Sequence, residues 1–195
     1  TVGPYFDGAT QPRVRTNRAL TPQATTSGSG VWLPFWGTNA TGTVTLQDGM
    51  YRMLWSSVPT ASVARILVTG ANEASRIPVT PGETLVIGVD VSASAGKNVR
   101  LQWDFYNGAS FVTNGNGTYQ SVSSNTAAPS RLVETVTVPS GTTGLALYVR
   151  RELADVTTGS WIAGNRFSVF SDLSDYMDGS TGAPQGYAVA WEGTP

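Results

Sequence analysis

Three segments of this chain alternate apolar and polar residues with a period of two, and this pattern constrains the fold more than any other feature. The clearest segment runs from Val99 to Tyr106 and ends at Asn107-Gly108, a pair that favours a hairpin turn. Successive side chains of a strand point to opposite faces, so the alternation predicts strands with one buried face. The side chains predicted to face the core are Leu85, Ile87, Val89, Leu101, Trp103, Phe105, Leu145, Leu147 and Val149.

Further short strand signals follow along the chain, each ended by turn residues, and no helical stripe interrupts them. Val31 to Trp36 is strongly apolar, but Pro34 restricts this segment to an edge strand or a loop. Asn114 to Gly117 repeats Asn-Gly and is interpreted as a tight turn or a loop. Roughly nine or ten strands at this spacing predict an all-β fold, an antiparallel jelly-roll β-sandwich.

The composition excludes several classes of chemistry. The chain has no Cys and no His, which removes disulfides, thiolate chemistry, most zinc sites and every mechanism with an imidazole base. The net charge is −1 and the basic residues are scattered, so a surface that tracks nucleic-acid phosphates is not expected. No apolar run approaches the length of a membrane span, so no membrane partner is expected either.

Paired carboxylates remain as a catalytic candidate, because two acids can hydrolyse a glycoside. Asp90 and Asp104 both fall on the predicted non-core face of strands that look adjacent. Acids that point outward from strands are usually solvated, and no other acid–base signature accompanies these two. We therefore predict that the chain is not an enzyme and has no catalytic residue.

A short phrase occurs near both ends of the chain, as Tyr5-Phe6-Asp7-Gly8 and as Tyr176-Met177-Asp178-Gly179. The Asp-Gly pair is turn chemistry, and the two copies bracket a stretch of the size of one large β domain. We interpret them as an assembly or boundary motif. The predicted organisation is an extended lead-in over 1–15 that ends a preceding module, a sandwich over 16–171, and a C-terminal tail or linker over 172–195.

Other phrases carry a resemblance to known modules. Asn17 to Pro22, Val79 to Thr84 and Val136 to Thr143 are similar in kind and order to phrases of the jelly-roll carbohydrate-binding modules of the family 4/9 type. Tyr176 to Gly179 followed by Tyr187 to Pro195 resembles the ending of such a module in minor tail proteins of phages that infect actinobacteria. The resemblance implies the same sandwich and a place in a virion.

This resemblance also carries expectations about metal, location and partners. Related jelly rolls often hold a structural calcium through acids at positions that correspond here to Thr25 and Asn165, which lack the charge that a hard cation prefers. We therefore expect no metal and no cofactor. The implied location is an extracellular phage tail, and Trp191 joins the boundary motif. The implied partners are a host surface glycan, other tail proteins and further copies of the chain, as in a trimer.

Aromatic and planar polar side chains are the binding candidates, because sugars pack their C–H faces on rings and pair their hydroxyls with polar groups. The predicted carbohydrate-binding residues are Trp36, Trp55, Arg100, Gln102, Asp104, Tyr106, Tyr148 and Arg150. Since Tyr106 and Asp104 are predicted to point away from the core, their truncation is expected to affect binding and not stability. In the alternative, Trp32, Trp103 and Trp161 fill the core, Arg–Asp pairs decorate the sandwich, and the chain is a structural spacer or assembly module without a ligand.

Overall fold

The computed structural model describes residues 13–18, 31–60, 64–94, 97–171 and 187–191. Within these residues the chain forms fourteen strands and two short 3-10 helices, Glu73–Ser75 and Leu153–Asp155. The strands are β1 (Arg13–Asn17), β2 (Val31–Phe35), β3 (Gly42–Gln47), β4 (Met50–Trp55), β5 (Ala64–Thr69), β6 (Ile77–Pro78), β7 (Thr84–Ala93), β8 (Asn98–Asn107), β9 (Ser110–Asn116), β10 (Gln120–Ser121), β11 (Ser130–Thr137), β12 (Gly144–Arg151), β13 (Trp161–Phe170) and β14 (Tyr187–Trp191). No helix in the described ranges is long and apolar enough to span a bilayer.

Two antiparallel sheets form the body of the protein. One has five strands in the order β11-β7-β13-β4-β3, and the other has seven, in the order β10-β8-β12-β5-β2 with β9 also paired to β8 and β6 to β12. Apart from these sheets, β1 and β14 pair in parallel, with Trp191 in register with Asn17. The predicted all-β antiparallel jelly-roll sandwich is confirmed.

Two local predictions have opposite outcomes. The segment with Pro34 is an edge strand, as expected, because β2 is the last strand of the seven-stranded sheet. The predicted turn at Asn114 to Gly117 is wrong, since Asn114, Gly115 and Asn116 continue β9 and pair with β8. A side chain at Gly115 would place its Cβ in a clash with the indole ring of Trp103. Gly115 therefore allows the Trp103 ring to pack closely against β9, and it does not form a turn.

The core lies between the sheets and contains the predicted inward-facing residues. Eight of the nine are buried, and the ninth, Trp103, is partly buried and packs against the others. Trp32 is also buried in this core. Trp161 is only partly buried, and the guanidinium of Arg52 lies 4.8 Å from the centre of its ring. The alternation therefore predicted which face of each strand is inside.

An ion pair fastens the start of the sandwich to the loop before β7. Nη1 and Nη2 of Arg18 donate to the two carboxylate oxygens of Glu83, at 2.9 and 2.5 Å. The hydrogen bonds from Arg18 hold the pKa of the Glu83 carboxyl below its ordinary value. Because folding lowers this pKa, the pair contributes its full stability above the ordinary pKa of a glutamate and loses it as the pH falls through the lowered value.

Truncation of the core residue Phe105 tests the inside face of β8. Phe105→Ala should lower the free energy of unfolding by about 3–5 kcal/mol, because it removes a fully buried ring and leaves a cavity. Val133→Ala on β11 is the control, and since Val133 is exposed it should change stability by about 0.5 kcal/mol or less. Equal losses in urea unfolding would mean that the face of β8 is misassigned.

The Arg18–Glu83 pair should be visible in the pH dependence of stability. Glu83→Gln removes the carboxylate, so the variant should lose less free energy of unfolding than the parent between about pH 6 and about pH 3. Urea melts at both pH values measure the difference. Glu73→Gln, which removes an exposed acid, should keep the parent's pH dependence. Parallel curves for the parent and Glu83→Gln would contradict the assigned pair.

Candidate ligand-binding face

The outer face of the seven-stranded sheet gathers six of the eight predicted site residues. Arg100, Gln102, Asp104 and Tyr106 project from β8, and Tyr148 and Arg150 project from β12. The antiparallel register places Tyr148 opposite Gln102 and Arg150 opposite Arg100. Because alternate residues of both strands belong to the core, these polar and aromatic side chains share the other surface.

The centre of this face is a buried polar cluster. Gln102, Asp104 and Tyr148 are only 5, 6 and 5% exposed. Nε2 of Gln102 donates to Oδ1 of Asp104 at 3.0 Å, and Nη1 of Arg65 lies 3.9 Å from Oδ2 of the same carboxylate. The expectation that Asp104 is a freely exposed side chain is therefore wrong, because neighbouring side chains on the same face cover it.

One atom of this cluster has no partner. The carboxylate of Asp104 can only accept a hydrogen bond, so the amide nitrogen of Gln102 must face it and the amide oxygen points the other way. That oxygen, Oε1 of Gln102, is buried and accepts no hydrogen bond. A buried acceptor without a donor costs about 1–3 kcal/mol. The face therefore contains an unused acceptor in a confined place.

Tyr148 belongs to the same cluster, and its hydroxyl is hydrogen-bonded to Asp104. The guanidinium of Arg65 lies 3.7 Å from the centre of the Tyr148 ring. Burial raises the pKa of the Tyr148 hydroxyl, and the negative charge of Asp104 raises it further. The hydroxyl consequently stays protonated at neutral pH and donates to the carboxylate of Asp104.

Two accessible rings lie toward the edges of the face. Phe35 on β2 is 45% exposed, and the guanidinium of Arg65 lies 5.3 Å from the centre of its ring. At the other edge, Phe111 on β9 is 54% exposed and meets the partly buried Tyr106 edge to face, with 5.9 Å between ring centres. Arg76 covers Tyr106, with 3.6 Å between its guanidinium carbon and the ring centre. Both edges thus combine an aromatic surface with an arginine.

The two predicted tryptophans occupy different environments. Trp55 is fully buried in the core, and its Nε1 donates to the carbonyl oxygen of Trp36 at 3.0 Å. The prediction that Trp55 rims the site is therefore wrong, because a buried indole offers no surface to a ligand. Trp36 is partly buried and lines a cavity of about 460 Å³ together with Phe35 and Arg65. This cavity lies at the β2 edge of the face.

The two candidate catalytic acids do not form a pair. Asp90 is on β7 in the five-stranded sheet, whereas Asp104 is on β8 in the seven-stranded sheet, so the interpretation of adjacent strands is wrong. Oδ1 of Asp90 accepts from Arg131 at 3.0 Å, and Arg166 lies 3.7 Å from its Oδ2. Their carboxyls lie on opposite sides of two sheets that pack about 10 Å apart, beyond the roughly 5–9.5 Å of glycosidase acid pairs.

Five contributors to this face escaped the sequence reasoning, and they are Phe35, Arg65, Arg76, Phe111 and Tyr119. Arg65 and Phe35 come from β5 and β2, and Tyr119 precedes β10. Arg65 sits within the apolar run Ala64–Thr69, where its alternation with Ile66 was the available signal. Phe35 and Tyr119 carry no periodic signal, since one lies in a Pro-containing edge strand and the other in a connection.

The remaining predicted positions give less information. The phrases at Tyr5 to Gly8 and Tyr176 to Gly179 lie outside the described residues, and so does Thr25. Asn165 lies in β13, directly before a register shift in its pairing with β7. In the part of the chain that the structure describes, no three acidic side chains are grouped as a metal ion would need.

Comparison with known proteins shows which solved structures have a similar fold. No protein-family model matches the sequence, and the comparison with curated proteins found no match either. Among solved structures, an arabinose-bound GH51 α-L-arabinofuranosidase matches 84% of this chain at 16% identity and a TM-score of 0.51, but the match covers only 27% of that enzyme. A CBM4 module matches 80% of this chain and 91% of its own, at 12% identity and a TM-score of 0.50.

The N-terminal cellulose-binding domain of Cellulomonas fimi β-1,4-glucanase C matches 74% of this chain and 90% of its own length, at 14% identity and a TM-score of 0.50. The chain thus spans less than a third of the arabinofuranosidase but nearly all of the two binding modules. At these identities the likeness establishes the fold alone. The protein has a fold like that of the carbohydrate-binding modules.

Truncation of Asp104 should destabilise the protein, contrary to what its predicted outward direction suggested. Asp104→Ala leaves the amide of Gln102 and the guanidinium of Arg65 without their shared acceptor, at a cost of about 1–3 kcal/mol. Urea unfolding measures this loss, with Glu73→Ala, at an exposed acid, as control. A variant as stable as the parent would mean that the cluster is not formed in solution.

Proposed function

We propose that the protein is a non-enzymatic module of an extracellular phage tail that contacts the host cell envelope by binding a glycan on the outer face of the seven-stranded sheet. The observation that carries this proposal is the buried, unpartnered Oε1 of Gln102. Buried polar atoms are nearly always hydrogen-bonded, and an exception in a surface cluster indicates a missing donor. A sugar hydroxyl is such a donor.

The surroundings of this oxygen suit a sugar. The carboxylate of Asp104 and the hydroxyl of Tyr148, which are hydrogen-bonded to each other, belong to the same polar cluster as this oxygen. The exposed rings of Phe35 and Phe111 offer apolar surfaces for C–H faces at the two edges. A shallow site of this kind binds with dissociation constants of roughly micromolar to millimolar. Many copies on one virion would raise the overall strength of attachment through effective concentration.

The place in a phage tail rests on the C-terminal phrase from Tyr176 to Pro195 and its resemblance to tail-protein endings. Other tail proteins and further copies of the chain, as in a trimer, would then be its neighbours. A second function is favoured by a separate observation. Phe111 and Val112 are both exposed on β9, a strand that pairs only with β8 among the described strands. Such an edge suits an assembly contact in a spacer module without a ligand.

Binding of the whole chain to a glycan array tests whether the protein binds a glycan. The Gln102→Leu variant tests whether that binding takes place on the outer face of the seven-stranded sheet. This variant removes the unpartnered oxygen together with the Nε2 group that donates to Asp104, and it keeps the side-chain size. Glycan retention should therefore fall at least tenfold while the free energy of unfolding changes by about 1 kcal/mol. The matched control is Gln47→Leu, the same replacement at an exposed position on β3 of the other sheet. Its retention should equal that of the parent.

Two results would contradict this proposal in different ways. Equal retention by Gln102→Leu and the parent would place the glycan elsewhere on the protein. No retention of any glycan by the parent would favour the spacer function.

A further inference from the structure

Three arginines lie side by side across the outer face. In the strand register Arg150 of β12 stands opposite Arg100 of β8 on one side and opposite Arg65 of β5 on the other. Neighbouring strands are about 4.8 Å apart, so the row spans about 10 Å. Like charges directly opposite each other destabilise a sheet. The row therefore opposes folding unless another component compensates its charge.

The protein compensates this charge only in part. Arg65 has Asp104 at 3.9 Å, whereas Arg100 stacks on Tyr119, with 4.3 Å from its guanidinium carbon to the ring centre. For Arg150 the described residues supply neither an ion pair nor a hydrogen bond. The Nε atoms of Arg100 and Arg150 are buried and without an acceptor. Both side chains are only partly buried, and their terminal nitrogens are not among the buried atoms without a partner.

The row ends in an aromatic ring on each side. Phe35 of β2 is in register with Arg65 and lies beside it, and Tyr119 lies under Arg100. Stacking on a ring holds the plane of a guanidinium in one orientation. Arg65 and Arg100 are thus held against rings, and Arg150 lies between them. The row is a strip of donors with Phe35 at one end and Tyr119 at the other.

All three cationic side chains of the row are arginines, and this choice indicates which kind of ligand the row fits. Lys97 is the only lysine of the chain, and it pairs with Asp155 at 3.4 Å. Arginine presents a planar pair of donors that matches a carboxylate or a phosphate in two parallel hydrogen bonds, whereas lysine acts as a point charge. A row of arginines therefore fits planar or tetrahedral oxyanions better than it fits neutral hydroxyls.

We propose that the glycan bound on this face is an anionic polysaccharide, whose carboxylate or phosphate groups pair with the arginine row Arg65, Arg150 and Arg100. The inference rests on the proposed glycan-binding function and names the class of its ligand. A chain that crosses the strands meets one guanidinium about every 5 Å. Nucleic acid is the less suitable polyanion, because its binding relies on many basic residues that follow successive phosphates, whereas this row supplies three guanidinium groups.

The experiment compares charged polymers with their neutral counterparts. Binding of the whole chain is measured by calorimetry to polygalacturonate and its methyl ester, and to phosphomannan and unphosphorylated mannan. At least one charged polymer should bind tenfold or more tightly than its neutral counterpart, and the preferred one identifies the anionic group. Raising the salt to about 1 M shortens the screening length to about 3 Å and should abolish this preference.

A double variant assigns the preference to the row. Arg100→Gln with Arg150→Gln should reduce binding of the preferred polymer at least tenfold, since both guanidinium groups are lost. The matched control is Arg52→Gln on β4, because Arg52 also stacks on a ring and has a buried Nε without an acceptor, but belongs to the other sheet. That control should bind within twofold of the parent.

Four outcomes would overturn the inference. If the neutral polymers bind as tightly as the charged ones, the protein binds glycans but does not select anionic ones. If the double variant binds like the parent, the row is not the site. If single-stranded DNA competes as well as the preferred polymer, the face is a general polyanion surface. Binding to none of the four polymers also rejects the inference, and the glycan array then decides separately on the proposed function.

Discussion

The pairing of β8 with β12 is the contact on which the remaining structure depends. Eight consecutive residue pairs join these two central strands, from Tyr106 opposite Gly144 to Val99 opposite Arg151. A slip of one residue would move every side chain of a strand to the other face. The buried side chains of both strands forbid such a slip, because they fill the space between the two sheets. The core thereby sets the arrangement of the outer face.

That outer face contains polar atoms that the fold does not satisfy. In the described part of the chain, six buried side-chain nitrogen or oxygen atoms have no hydrogen-bond partner, and four of them belong to Arg76, Arg100, Gln102 and Arg150. Arg76 covers Tyr106, so all four lie on the same side of the seven-stranded sheet. Unsatisfied groups that are concentrated on one surface indicate a role in binding, because each of them opposes folding.

The sequence predicted the fold and the direction of the strand residues, since period-two alternation determines both. The sequence-based predictions were wrong where the environment of a residue depends on contacts with residues far away in the chain. Trp36 and Trp55 both end apolar runs, but only Trp55 is fully buried, whereas Trp36 is partly buried and packs against the core. Gly115 sits in an Asn-Gly repeat that normally indicates a turn, yet it lies in a strand beneath Trp103. To predict that Arg65 lies beside Asp104, one must know the order of the strands in the sheet. The alternation of residues along a strand does not indicate that order.

The polar cluster and the arginine row are linked through Arg65. Its guanidinium approaches Asp104, covers Tyr148 and lies beside Phe35, so it belongs to the buried cluster and to the row. A ligand anion that pairs with Arg65 would compete with Asp104 for the same charge, and a ligand hydroxyl could then occupy the acceptors of Asp104 and Gln102. Recognition of charge and recognition of hydroxyls would therefore be coupled on this face. One residue would connect the two, because strands β5, β12 and β8 are neighbours in the sheet.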